Sequence, residues 1–116
     1  MIGISGRPAR IIELADLIAT DLRDYDQAEF ERDRLVIDAT AFRLMHIGES
    51  AKGLDPAVRR RNGQLPWRNM AAMRNLLAHD YDGIDPTILW RTAHDHLDEL
   101  RTMCLAELAT IKNQGE

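Results

Sequence analysis

Arg74, His79 and Tyr81 bring three chemically useful side chains together within eight residues of a 116-residue chain. Arginine is a permanent cation, histidine titrates near neutral pH, and tyrosine carries a phenol. A neutral imidazole accepts a proton from a ribose 2′-hydroxyl, and an imidazolium returns one to a leaving oxygen. Arginine donates two N–H groups to a phosphate and stabilises the charge that develops there. This set of side chains therefore suits cleavage of RNA without a metal ion.

The same three residues also have purely structural explanations. An arginine near a helix end, a histidine facing the helix dipole and a tyrosine packed on a turn would stabilise a fold without any chemistry. Two other functions remain open at this point. One is a nucleotide-binding module in which Arg74 and His79 hold a phosphate, and the other is a non-catalytic helical module that binds a protein partner.

The spacing of Arg74 and His79 restricts how they could cooperate. Five helical residues correspond to about 140° around the axis and about 7.5 Å along it. His79 must therefore lie at or beyond a helix end, where its ring can turn back, or the site must use a second copy of the chain. A two-fold dimer would bring each arginine near the other copy's histidine in one cleft. We therefore expect a homodimer.

Apolar residues at three- and four-residue steps predict an all-α bundle formed by one domain, residues 1–116. We expect four main helices and one short helix, at about residues 7–23, 27–52, 56–61, 67–79 and 86–111, with Pro8 in the first turn of the first. Asp26 with Glu29 has capping-box spacing, and Asp55-Pro56 and Asp85-Pro86 have the pattern of a helix start. Gly48 indicates a close crossing with another helix, which would offset its low helix propensity.

Composition limits the setting in which this chemistry could occur. The formal net charge is −4, so binding of RNA would depend on local arginines such as Arg59–Arg61 and Arg68. A single cysteine, Cys104, excludes an intrachain disulfide framework. No stretch resembles a signal peptide or a membrane span. We expect a cytoplasmic protein with no membrane association and no cofactor.

Other groups of polar residues suggest metal binding only weakly. His46 and Glu49 share a helix face, but in the reverse of the Glu-x-x-His order of di-iron bundles. His46 and Glu49 could instead form a hydrogen-bonded pair, or Glu49 could form an ion pair that holds Arg74. His94 and His96 would point about 200° apart on a helix, which does not suit chelation. The His-Asp pairs at 79–80 and 94–95 are also found in metal-dependent HD phosphohydrolases, for which this chain is short.

Several segments together resemble the HEPN-domain ribonuclease toxins of the HepT type. Besides Arg74-x4-His79-x-Tyr81, these are the Gly-Glu-containing segment 47–51, Leu65-Pro66-Trp67 ahead of Met73-Arg74-Asn75, and the Asp85…Leu89-Trp90 segment. The resemblance covers roughly residues 30–100. It departs from the family pattern at Ser50, where alanine is usual, and at Asp82-Gly83, where an aromatic residue often follows the tyrosine.

This resemblance implies a helical bundle that forms a homodimer or higher oligomer and cuts RNA at the dimer cleft, as the toxin of a toxin–antitoxin pair. Arg74 and His79 would carry the cleavage, and Asn75 or Glu49 would orient the arginine or the substrate. Tyr81 would receive AMP from a nucleotidyltransferase antitoxin of the MntA type. Such a bulky anion beside the cationic residues would repel an RNA phosphate.

Overall fold

A computed structural model of the chain describes the backbone of residues 2–115 and the side chains of residues 6–110. The described residues form helices joined by short turns, which confirms the predicted all-α class. The helices are α1 (Ile2–Leu22), α2 (Gln27–Glu31), α3 (Arg34–Lys52), α4 (Pro56–Arg61), α5 (Trp67–His79), α6 (Pro86–Asp95) and α7 (Leu97–Gly115), with a 3₁₀ turn (Tyr81–Gly83) after α5. None of the described helices is both long enough and apolar enough to cross a membrane.

The first helix starts earlier than its proline predicts. α1 begins at Ile2, so Pro8 lies inside the helix and not in its first turn, and that prediction is wrong. Proline has no N–H, so the hydrogen bond to the carbonyl of residue 4 is absent. The six residues ahead of Pro8 are nevertheless helical, because a single missing bond does not end a helix that continues on both sides.

The predicted helix at 27–52 is wrong in one respect, because it is divided into α2 and α3. Asp33 lies between them and caps α3, since its carboxylate accepts the backbone N–H of Val36 at 3.2 Å. The same carboxylate accepts the hydroxyl of Tyr25 at 2.5 Å. These two hydrogen bonds stabilise the break. The capping box of Asp26 and Glu29 at the start of α2 is confirmed.

The predicted helix at 86–111 is also divided. α6 ends at Asp95 and α7 begins at Leu97, with His96 between them. The His96 carbonyl accepts the N–H of Leu100 at 3.0 Å, so the first turn of α7 starts from it. His96 is therefore exposed, whereas the periodicity of the segment predicts it to be buried.

The core lies where α1 contacts α3 on one flank and α7 on the other. α5 packs along α3, and α2 packs against α6. Seven of the larger apolar side chains are almost completely buried in this core: Ile11, Leu14, Ile18, Phe30, Leu89, Leu100 and Cys104. Burial raises the pKa of the Cys104 thiol to about 12, so it stays protonated at neutral pH. Because α3 touches both the core and α5, it is the element that positions the Arg-x4-His-x-Tyr segment.

Candidate active site

Gly48 of α3 is the point where α5 comes closest. A Cβ atom added at Gly48 would lie 2.6 Å from the Cβ of Arg74 and 3.1 Å from its Cγ. Those distances are shorter than van der Waals contact, so no side chain fits between the two helices here. The predicted close crossing at Gly48 is confirmed, and it places the aliphatic part of Arg74 directly on the backbone of α3.

The guanidinium of Arg74 is held from two sides. Its Nε lies 2.8 Å from Oε1 of Glu49, and one terminal nitrogen donates to Oδ1 of Asn75 at 3.0 Å. The N–H of Nε is not directed at this oxygen, so the contact with Glu49 is an ion pair and not a well-formed hydrogen bond. The direct contact with Arg74 holds the pKa of Glu49 below its usual range, with burial acting in the opposite direction.

This arrangement leaves part of the guanidinium available. The second terminal nitrogen of Arg74 makes no hydrogen bond to any residue that the structure describes. Its side chain is 23% exposed, so solvent or a ligand can reach it. Arg74 is thus fixed in position by Gly48, Glu49 and Asn75 while keeping donors for an anion.

His79 lies apart from this group. It is the last residue of α5 and is exposed, and it makes no hydrogen bond or ion pair with a described residue. Because α5 is helical from Trp67 to His79, the rotation of about 140° between Arg74 and His79 applies. One chain therefore holds the two side chains on different sides of the same helix, and the structure brings them into no direct contact.

Tyr81 is part of a second polar group, next to the 3₁₀ turn. Its hydroxyl donates a hydrogen bond to Oδ1 of Asp38 on α3. Nε of Arg34 lies 3.2 Å from the same carboxylate oxygen, and the Arg34 guanidinium carbon is 5.4 Å from the centre of the Tyr81 ring. That distance suits a cation–π contact. The sequence analysis missed Asp38 and Arg34, because they lie more than forty positions from Tyr81 and no local pattern links them.

An open recess lies beside Tyr81, between α3 and α5. It has a volume of about 280 Å³ and is lined by Asp38, Ala41, Phe42, Met45, Leu77 and Tyr81. The Phe42 side chain is 55% exposed, although it is large and apolar, and its ring centre is 4.4 Å from that of His46. The tyrosine hydroxyl can therefore be approached from solvent.

The histidines considered as metal ligands contact other groups. His46 stacks on Phe42, while Glu49 pairs with Arg74. Nδ1 of His94 lies 2.7 Å from the carbonyl oxygen of Trp90, and Nδ1 of His96 lies 3.6 Å from Glu99. Within residues 6–110, no three His, Cys, Asp or Glu side chains are grouped as metal ligands.

Comparison with known proteins gives one consistent result. The model of the family described as "Ribonuclease HepT-like" matches residues 11–106, a range that contains every candidate site residue. "Probable ribonuclease HepT" of Thermococcus cleftensis is 33% identical over 91 residues, which cover 78% of this chain and 83% of the relative. A "Putative RNase" of Methanocaldococcus jannaschii is 29% identical over 91 residues, covering 78% and 84%. A further "Putative RNase", of Caldanaerobacter subterraneus subsp. tengcongensis, is 28% identical over 90 residues, covering 78% and 80%. No solved structure matches the chain significantly.

Proposed function

This chain belongs to the HepT-like ribonuclease family, and from that premise we propose that it is a metal-independent endoribonuclease whose active site forms between two copies. The observation that carries the proposal is the guanidinium of Arg74. It is fixed against α3 by Gly48, Glu49 and Asn75, yet it retains donors for a phosphate. A guanidinium that is oriented before the substrate binds stabilises the transition state without reorganisation.

The chemistry follows from the two side chains. His79 in its neutral form accepts the proton of the 2′-hydroxyl, and the oxygen attacks the adjacent phosphorus. Arg74 stabilises the negative charge that grows on the phosphoryl oxygens. The imidazolium returns a proton to the leaving 5′-oxygen, so the product carries a 2′,3′-cyclic phosphate. Glu49 and Asn75 act as positioning residues, because they contact Arg74 and not the reacting atoms.

A homodimer is proposed because one chain separates the two groups. His79 is exposed at the end of α5 and lies about 140° around the helix from Arg74. A two-fold axis near α5 would place the arginine of each copy opposite the histidine of the other. Each cleft would then contain one guanidinium and one imidazole, contributed by different copies.

Mixing two inactive variants tests both the residues and the shared site. Arg74→Ala and His79→Ala should each keep the helical content and the dimer but lose RNA cleavage, by about 10²-fold or more for the histidine. When equal amounts of the two variants are unfolded and refolded together, half of the dimers are mixed. Each mixed dimer has one intact site, so about a quarter of the parent activity should return.

The outcomes of the mixing experiment separate two errors. If either single variant cleaves RNA as fast as the parent, the roles assigned to Arg74 and His79 are wrong. If both are inactive but the refolded mixture gains nothing, the site lies within one copy. Arg23→Ala is a matched control, because it removes an exposed cation just after α1, away from Arg74, His79 and Glu49.

We also propose that the chain is the toxin of a toxin–antitoxin pair, inactivated when a nucleotidyltransferase of the MntA type transfers AMP to Tyr81. The proximity of Tyr81 to the end of α5 supports this, because an added phosphodiester would lie near His79 and repel an RNA phosphate. Expression of the parent should arrest growth, and co-expression of the nucleotidyltransferase should relieve the arrest and add one AMP to Tyr81. A non-catalytic module that only binds a partner would not arrest growth.

A further inference from the structure

The Tyr81 hydroxyl differs from an ordinary surface phenol because its proton is already directed at a base. Asp38 accepts that proton in a hydrogen bond at Oδ1, and Nε of Arg34 lies 3.2 Å from the same oxygen. The Arg34 cation also lies 5.4 Å from the centre of the Tyr81 ring. The Asp38 carboxylate, which can act as a base, therefore lies next to the Tyr81 hydroxyl oxygen and to the Arg34 cation, which suits binding of a phosphate.

This group of residues is accessible. The side chain of Asp38 is 49% exposed and that of Arg34 is 66% exposed. The recess of about 280 Å³ beside the ring provides space for an incoming group next to the hydroxyl. The hydrogen bond between Tyr81 and Asp38 itself lies in an exposed part of the surface, where an electrophile carried by another protein can reach it.

We propose that Asp38 is the proton acceptor that makes the Tyr81 hydroxyl the attachment point for a nucleotidyl group. When the phenolic oxygen attacks the α-phosphorus of a nucleoside triphosphate, an O–P bond to Tyr81 forms and the P–O bond to pyrophosphate breaks. The phenolic proton passes to the Asp38 carboxylate and from there to solvent. Arg34 positions the carboxylate and faces the new phosphodiester. This inference rests on the modification of Tyr81 proposed above.

The other tyrosine of the chain provides an internal comparison. Tyr25 also donates its hydroxyl to a carboxylate, that of Asp33, at 2.5 Å. Asp33 additionally accepts the backbone N–H of Val36, and no described arginine or lysine forms an ion pair with it. Tyr25 thus has a carboxylate partner that is not ion-paired with a described cation, and this carboxylate has a second, structural role.

A nucleotidyltransferase is not needed to test the role of Asp38. The fluorosulfonylbenzoyl ester of adenosine reacts with phenols: an O–S bond forms, fluoride leaves, and the phenolic proton must go to a base. The rate of labelling at Tyr81 and at Tyr25 is measured on the intact chain by peptide mass spectrometry. Asp38→Asn keeps a hydrogen-bond acceptor but removes the base, so labelling of Tyr81 should slow by about 10²-fold, the lower end of the usual contribution of a positioned base.

The pH dependence separates proton acceptance from a merely structural effect. In the parent, the rate at Tyr81 should be nearly constant between about pH 6 and pH 8, above the usual range of a carboxyl and below that of a phenol. In Asp38→Asn it should rise about tenfold per pH unit, because only the ionised phenol reacts. Asp38→Glu should recover part of the rate and the flat profile.

Asp33→Asn is the matched control, since asparagine also caps helices well and the fold should be kept. It should leave labelling of Tyr81 unchanged. If Asp38→Asn is labelled at the parent rate with the parent pH profile, the proposal is wrong. If instead the parent shows the Asp38-dependent labelling but a nucleotidyltransferase adds no AMP to it, the proposed modification fails and the role of Asp38 in activating the phenol stands.

Discussion

Two tyrosine–aspartate pairs in this molecule each contain a hydrogen bond from the tyrosine hydroxyl to the carboxylate, but their surroundings differ. Tyr25 and Asp33 lie at the break between α2 and α3, where the carboxylate also caps α3. Tyr81 and Asp38 lie between the end of α5 and α3, where the carboxylate instead pairs with Arg34. The first pair fixes the course of the backbone, whereas the second presents a hydroxyl to solvent. The second contact of each carboxylate therefore distinguishes the structural pair from the pair that we propose to be reactive.

Removing each hydroxyl should give the largest contrast. Tyr81→Phe deletes the oxygen to which a nucleotidyl group would attach, so transfer of AMP by the nucleotidyltransferase should be lost completely. Tyr25→Phe should be modified as the parent is, because its hydroxyl is bound at the α2–α3 break. Intact-mass measurement after incubation with ATP and the nucleotidyltransferase distinguishes the two. Equal modification of both variants would mean that neither tyrosine is the acceptor.

Removing each carboxylate should affect thermal stability in the opposite order. Asp33→Ala loses the cap of α3, and a lost cap in a domain of this size lowers the Tm by about 4–8 °C. Asp38→Ala should change the Tm by less than about 2 °C, because exposed ion pairs contribute little. Circular dichroism during heating measures both. A larger loss for Asp38→Ala would show that the Tyr81 pair is structural after all.

The loss of stability at acidic pH should differ least between the parent and a variant that lacks the Tyr25 hydroxyl. The Tyr25 hydroxyl, followed by the Val36 N–H, lowers the pKa of Asp33 from its usual value. Stability from this group is therefore present above the unfolded pKa of about 3.9 and is lost as the pH falls through the lower folded value. Tyr25→Phe should weaken this loss, and the difference in Tm between about pH 5 and pH 2 should shrink by a degree or two.

The contribution of the Tyr25 phenol to stability has the opposite pH dependence, since it is lost at high pH. Asp33 raises the pKa of Tyr25, so its contribution to stability is present below the usual phenol pKa of about 10 and is lost as the pH rises beyond it. The variant Tyr25→Phe has no phenol at this position and should not show that loss. Denaturant titrations at alkaline pH compare it with the parent.

Local signals in the sequence were sufficient for most helix starts. Asp26, Asp55 and Asp85 each begin a helix as their cap patterns predict. The two predicted helices that proved to be divided have apolar periodicity continuing across the break. At Asp33 a signal was present, since an aspartate precedes a run of apolar residues, but the periodicity outweighed it. At His96 no glycine or proline marks the end of α6.

The candidate site was predictable to the extent that it is local. The relation of Arg74 to His79 follows from helix geometry alone, and α5 extends to His79 as expected. The contact of Arg74 with Glu49 was one of three alternatives for that carboxylate, and Gly48 indicated the close crossing that makes it. The contact of Tyr81 with Asp38 depends on how α5 packs along α3. It joins residues 43 positions apart, and no residue pattern encodes it.

At Gly48, the helix propensity of α3 and its packing against α5 favour different residues. Alanine would strengthen α3 as an isolated helix by about 1 kcal/mol. In the folded chain its methyl group would lie 2.6 Å from Cβ of Arg74 and would wedge α5 outward, tilting the cation away from Glu49. A stabilising substitution chosen from helix propensity alone should therefore fail at Gly48, because the clash with α5 opposes the gain within the helix.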